Sequence, residues 1–172
     1  MVTDWICTTF VAISISDNQV DSVKPNPEQM YLISSCLVGI NCRYNGTSTN
    51  IANLKKMVET GKAIALCPEV MVGLPTPRES CEIKKNPKKV VISESGVDFT
   101  EYFVKGAEET LRICREKNIT KAILQSRSPS CGYGKIYDGN FRGKLVKGNG
   151  ITADLLNKNG IEITTEDEWL NK

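Results

Sequence analysis

From Tyr31 onward the chain alternates short apolar runs with longer stretches whose apolar residues recur every three or four positions. That alternation leaves few folds open. Short apolar runs bounded by turn residues make strands, the segments between them make helices, and successive strand–helix–strand units join parallel strands. Residues 31–35, 63–66, 89–93, 119–125 and 161–164 read as strands. A helix is expected over 50–59, with Leu54, Met57 and Val58 on one face and Gly61 as its stop, and a short one over 150–158. The clearest helix takes Thr100 as its N-cap and aligns Phe103, Ala107, Leu111 and Cys114 on one face. Residues 68–87 carry four prolines and several charges, and are expected to form a long loop. The fold class is therefore α/β: a single Rossmann-like domain with a mostly parallel sheet and flanking helices.

Residues 1–29 are unlike the rest, with an apolar stretch over 5–15 followed by a polar segment ending Lys24-Pro25-Asn26-Pro27. No cation precedes Lys24, as a secretory signal requires, and a membrane span needs about 20 apolar residues. Residues 1–29 are expected either to precede a true start at Met30 or to form a poorly ordered extension, with an edge strand over 5–15 as the rival; residues 30–172 form the domain.

The chain contains no histidine. Ser-His-Asp and Cys-His catalysis, the common His-containing zinc sites and the usual neutral-pH base all fall away. A general base must then be a carboxylate, Lys, Tyr or a bound hydroxide. Net charge is +2, with 22 Lys plus Arg dispersed among 20 Asp plus Glu, so no basic stripe supports a nucleic-acid partner. Seven cysteines are an odd number, and without a signal peptide they point to a reducing, cytoplasmic setting and to thiolate-held metal rather than disulfides.

Cys36 ends the first strand, Cys67 ends the second, and Cys131 lies in the loop leaving the strand over 119–125. In an open parallel sheet the carboxyl ends lie along one edge, where ligands bind, so these distant cysteines can meet. Three soft thiolates suit an iron–sulfur cluster or zinc. A cluster held by three cysteines leaves one iron not bound by cysteine, able to act as a Lewis acid toward a sulfur or water.

Four segments carry a resemblance. They are Ser34-Ser35-Cys36-Leu37-Val38-Gly39; Arg43-Tyr44-Asn45-Gly46; Cys67-Pro68-Glu69-Val70 with Gly73-Leu74 and Pro77-Arg78; and Ser126-Arg127-Ser128-Pro129-Ser130-Cys131-Gly132 with Ile136-Tyr137-Asp138-Gly139. Together they resemble the thiouracil desulfidase family over about residues 31–163. The resemblance implies a 4Fe-4S cluster held by Cys36, Cys67 and Cys131. It also implies non-redox removal of sulfur from a small thiolated pyrimidine of the 4-thiouracil type, with hydrosulfide released.

Chemistry suggests roles for the remaining residues. Glu69, two residues after a ligand, is the candidate for activating water, against a solvated loop carboxylate or a helix-cap partner. Ser128 and Ser130, flanking Pro129, are candidates for bonding the substrate carbonyl, a cluster sulfide or the attacking water, against satisfying turn backbone. Arg78 and Arg127 are candidate contacts for an anionic substrate group. Asn45-Gly46 and Asp138-Gly139 read as tight turns. Cys114 reads as a buried small hydrophobe. Cys42 and Cys81 sit in loops expected at the same edge and either is a candidate redox thiol; as a fourth ligand it would block the open iron. A cluster carrier or sensor without turnover, and a zinc thiolate hydrolase, are the alternative functions.

Overall fold

The computed structural model describes residues 29–85 and 88–171. The expectations for residues 1–28 lie outside this range. Four strands, β1 (Tyr31–Ser34), β2 (Ala63–Leu66), β5 (Lys121–Leu124) and β8 (Glu162–Thr165), form one sheet in the order β2-β1-β5-β8, and every pairing is parallel. Helix α1 (Ala52–Glu59) connects β1 to β2, α3 (Thr100–Glu116) precedes β5, and α4 (Ile151–Lys158) leads into β8. The expected α/β class with a parallel sheet and flanking helices is what the chain adopts.

Period-two alternation divides the core. Leu32, Ala122, Leu124 and Ile163 face α3 and α4, packing with Leu111, Cys114 and Leu156. Ile33 and Ile123 face the other way, onto Leu54 and Met57 of α1 and onto Trp169 of α5 (Glu166–Leu170). Cys114 is fully buried on its helix, as its spacing predicted. The start of α3 differs from expectation: Phe99 is the cap position, Asp98 Oδ1 accepts the Thr100 amide at 2.7 Å, and the Thr100 hydroxyl accepts the Val91 amide from the neighbouring strand. Asp98 thus does the work assigned to Thr100.

The long loop over 68–87 needs correction. Pro68 opens a short helix, α2 (Pro68–Met71), at the position where a missing amide hydrogen costs nothing. Cys81–Lys85 is a strand, β3, paired antiparallel with β4 (Lys89–Ser93) through Ile83 opposite Val91. The run over 89–93 is therefore a strand as expected, but in a hairpin outside the parallel sheet. A second hairpin, β6 (Lys135–Tyr137) with β7 (Leu145–Lys147), and the terminal α5 were not foreseen. Their segments are too short to show a period. The turn expected at Asp138-Gly139 lies just beyond β6, and Glu82 of β3 accepts the amides of Gly139 at 2.8 Å and Phe141 at 3.0 Å, joining the two hairpins. No helix among the described residues is long and apolar enough to cross a membrane.

Gly106 sets the approach of α3 to α2, because a Cβ there would stand 2.4 Å from the Pro68 carbonyl oxygen. Gly106→Ala is expected to cost about 1–3 kcal/mol as the helices separate, read as a lowered urea midpoint of the cluster-free protein. An unchanged midpoint would mean that α2 moves freely on α3.

Candidate functional site

The strand order brings the chain back on itself between β1 and β5. β2 lies to one side of β1, whereas β5 and then β8 extend to the other. Crevices of open parallel sheets lie at the carboxyl ends beside such a reversal. All four strands deliver a residue of interest there. Cys36 follows β1 in a single 3-10 turn, Cys67 directly follows β2 and caps α2, Gln125 to Cys131 leave β5, and Glu166 follows β8.

A cavity of about 580 Å³ occupies this edge, and Cys36, Cys67 and Cys131 all line it, together with Cys42 and Cys81. The sequence-predicted ligands are brought together. The first-named two come from adjacent strand ends. Cys131 is placed by its loop, whose Pro129 and Ser130 carbonyls accept the first amides of α4: Ile151 to Pro129 at 2.9 Å, Thr152 to Ser130 at 3.0 Å and Ala153 to Ser130 at 3.1 Å. Those are donors that a helix start otherwise leaves unpaired. Gly150 permits the contact, since a Cβ would lie 2.4 Å from the Ser130 carbonyl oxygen. Arg127, with a left-handed φ of 63°, turns the chain out of β5 into this loop.

Burial shapes the thiols. Cys131 is pushed up to about 12 by burial, opposed by the hydroxyls of Ser34 and Ser130. The thiol of Cys42 is pushed up to about 11, first by its contact with Cys36, although its contact with Cys67 acts in the opposite direction. Contact with Cys42, then burial, raises Cys67. Burial raises Cys81 to about 12, with Glu69 adding to the effect. Without metal these groups keep their protons at neutral pH, and a metal would release the proton only of a thiol that it binds.

Glu69 and Arg78 form a largely buried ion pair, their side chains 14% and 9% exposed. Arg78 Nε donates to Glu69 Oε2 at 2.9 Å and Nη2 lies 2.7 Å from the same oxygen, leaving Oε1 outside the pair. Burial raises the Glu69 carboxyl, and Arg78 opposes that shift. The remaining Arg78 donors go to the Pro75 carbonyl, the Thr76 hydroxyl and the Cys42 carbonyl. Its guanidinium makes these bonds within the protein, and the residue also lines the cavity.

Ser128 lines the cavity, and its oxygen accepts the amides of Ser130 at 3.1 Å and Cys131 at 3.0 Å. This is the turn role, and it leaves the hydroxyl hydrogen still to be donated. Ser130 is fully buried behind the loop, bonded to the Thr152 hydroxyl at 2.9 Å and within reach of the Cys131 thiol. Its hydroxyl faces the Cys131 thiol and α4, and Ser130 is not among the residues that line the cavity. Arg127 also lines the cavity, half exposed and paired with Asp167 at 3.4 Å.

Sequence reading missed a carboxylate network. Glu166 is buried, and its side chain accepts Gln125 Nε2, the Ser126 amide at 2.5 Å and the Ser126 hydroxyl at 2.7 Å. Because Glu166 takes the amide donor of Gln125, Gln125 Oε1 faces Cys36, whose thiol donates to it at 3.6 Å. A capping box at Thr165 and Glu168 fixes α5, and Thr165 directly precedes Glu166. The Thr-x-x-Glu spacing over 165–168 was the signal available in the sequence.

The donor set can be tested against candidate metals. Among the described residues no three Cys, Asp or Glu side chains close on one point as a single ion requires. Thiols spaced around a cavity suit a group that supplies its own bridging sulfides, so the site fits an iron–sulfur cluster better than one zinc ion. Cys36, Cys67 and Cys131, with Cys42 and Cys81, are the lining thiols that could hold it.

The chain is 42% identical to the Bacillus subtilis (strain 168) protein YbbK, described as uncharacterized, over 146 residues that cover 81% of this chain and 97% of YbbK. Its structure is similar to that of the 4Fe-4S-dependent thiouracil desulfidase TudS (DUF523Vcz), with a TM-score of 0.77, 41% identity, and coverage of 83% of this chain and 94% of that one. The sequence profile of the 2-thiouracil desulfurase family matches residues 31–168, and the chain belongs to that family.

Proposed function

We propose that this protein is a 4Fe-4S-dependent desulfidase that takes sulfur from a small thiolated pyrimidine of the 4-thiouracil type, exchanging C=S for C=O with water and releasing hydrosulfide without net redox change. The observation that carries this reading is the convergence of Cys36, Cys67, Cys131 and the buried Glu69 on one cavity at the carboxyl edge of the sheet. A cluster bound by these three thiolates supplies an iron not bound by cysteine, a Lewis acid for the substrate sulfur.

The chain's own groups supply the rest. Glu69 Oε1, outside the Arg78 pair, takes a proton from the attacking water, while Arg78 fixes the carboxylate. Ser128 donates its remaining hydrogen toward the substrate oxygen. Tyr44, Tyr137 and Phe141 line the cavity and offer ring faces for a planar base. Arg127 stands among the lining residues as a contact for an anionic substituent, if its pair with Asp167 opens. Cys36, Cys42, Cys67, Cys81, Cys114 and Cys131 are all free thiols, which suits a reducing compartment such as the cytoplasm.

Purification without oxygen, with iron and sulfide assayed and 4-thiouracil added, tests the proposal. About four irons per chain, loss of thiocarbonyl absorbance, and formation of uracil and sulfide are expected. A brown protein without turnover would turn the assignment toward a cluster carrier or sensor. A colourless zinc protein would overturn the cluster itself.

A further inference from the structure

Cys42 is one of two lining thiols, with Cys81, for which the desulfidase chemistry has no use. It is 5% exposed and packs in one buried cluster with Cys36 and Cys67. Its backbone is braced as well: Arg78 Nη2 donates to its carbonyl at 3.1 Å, the Cys42 amide bonds Ile40 at 2.8 Å, and the Arg78 amide bonds Tyr44 at 2.7 Å. The Cys67 sulfur lies 3.9 Å from the Cys42 carbonyl oxygen. Cys81 lines the same cavity but packs against a different cluster, that of Leu74, Ile83 and Phe103. Cys42 is therefore a thiol held against two cluster ligands by a fixed loop.

We propose that Cys42 is an oxidative modification site that closes a disulfide with Cys67 when the cluster is lost, sparing Cys67 from irreversible oxidation. The oxidant is a peroxide. The first thiol sulfur takes hydroxyl as the peroxide O–O bond breaks, giving a sulfenic acid and one water. The second thiol sulfur then forms the S–S bond and displaces the sulfenic hydroxyl, which leaves with the second thiol's proton as another water. In sum two thiols and one hydrogen peroxide give one disulfide and two waters. A dithiol reductant restores both thiols, and with them the site for a new cluster. A sulfenic acid without a neighbouring thiol continues to the sulfinic acid, which such a reductant does not reverse.

The inference rests on the proposed function only in taking Cys67 as a cluster ligand, and its test needs no turnover. The full chain, loaded with cluster, is treated with hydrogen peroxide until its iron is lost. Free thiols are then blocked and peptides mapped, with fragmentation between Cys36 and Cys42 assigning the partner. The expected result is a Cys42–Cys67 link with Cys81 and Cys114 alkylated, and recovery of most of the original iron after dithiothreitol and reconstitution. C42S is expected to load iron as the parent does, to show Cys67 as sulfinic or sulfonic acid after peroxide, and to recover severalfold less iron. Blocked Cys42 beside an oxidised Cys67, or Cys67 joined to Cys36 or Cys131, would overturn the inference. So would C42S unable to hold a cluster, since Cys42 would then be a ligand. Failure to load iron in the untreated parent would instead count against the proposed function.

Discussion

Cys36→Ala is expected to remove the visible absorption of the cluster and desulfidase turnover together, with kcat/KM falling by about 10³-fold or more, the several kcal/mol that a Lewis-acid centre supplies. The effect on the fold should be far smaller. Cys36 is 7% exposed and sits in a single turn after β1, and trimming its sulfur costs about 1 kcal/mol of burial. The Leu37 side chain beside it, fully buried, holds the turn in the core without help from the thiol. Circular dichroism should therefore match the parent while iron content collapses. A variant that lost the cluster yet kept turning over 4-thiouracil would sever the chemistry from the metal and return the search to Glu69 acting alone.

The second large effect is expected at Glu69. Glu69→Gln keeps the shape of the side chain and an oxygen for Arg78 but cannot accept a proton, so kcat is expected to fall by about 10²–10⁴-fold with cluster absorption retained. Stability should drop as well, by about 3 kcal/mol, because the Arg78 charge keeps its burial and loses its counter-charge. Arg78→Lys separates the two contributions. A lysine cannot reproduce the fork that reaches Glu69, the Pro75 carbonyl and the Cys42 carbonyl together, so a misplaced carboxylate and a partial loss of kcat are expected. Turnover of the glutamine variant at the parent rate would exclude Glu69 from proton transfer and make its pair with Arg78 a brace for the loop after β2.

The residues legible in advance share one property: their signal is contained in their own segment. Leu54, Met57 and Val58 on α1, Phe103, Ala107, Leu111 and Cys114 on α3, and the strand-end positions of Cys36 and Cys67 all follow from a local period and a topology rule. Cys131 was placed on the correct edge for the same reason. The second hairpin was not legible, because three-residue strands show no alternation, and β3 was hidden by the prolines before it. Pro68 opens α2, Pro75 and Pro77 lie in the bend that follows, and β3, with Glu82 and Ile83 buried and Lys84 and Lys85 exposed, shows no period-two alternation of its own. Gly106 carried no mark either, since a close approach to Pro68 belongs to the pairing of two helices and to neither sequence alone.

The sequence by itself determined the class of fold, the thiolate chemistry and the edge at which it gathers, because hydrophobic period, the lack of histidine and the rule of parallel strands act without reference to particular partners. Tertiary structure alone decided what each polar side chain does there. Arg78 faces inward because a buried Glu69 requires a counter-charge, Ser130 turns to Thr152 because α4 packs over its loop, and Glu166 reaches Gln125 and Ser126 because β8 ends beside β5. A buried polar group must find its partner wherever the fold provides one, and that partner stands up to tens of residues away in the chain. Cys42 shows the same dependence: only the folded loop after β1 packs it in one cluster with Cys36 and Cys67.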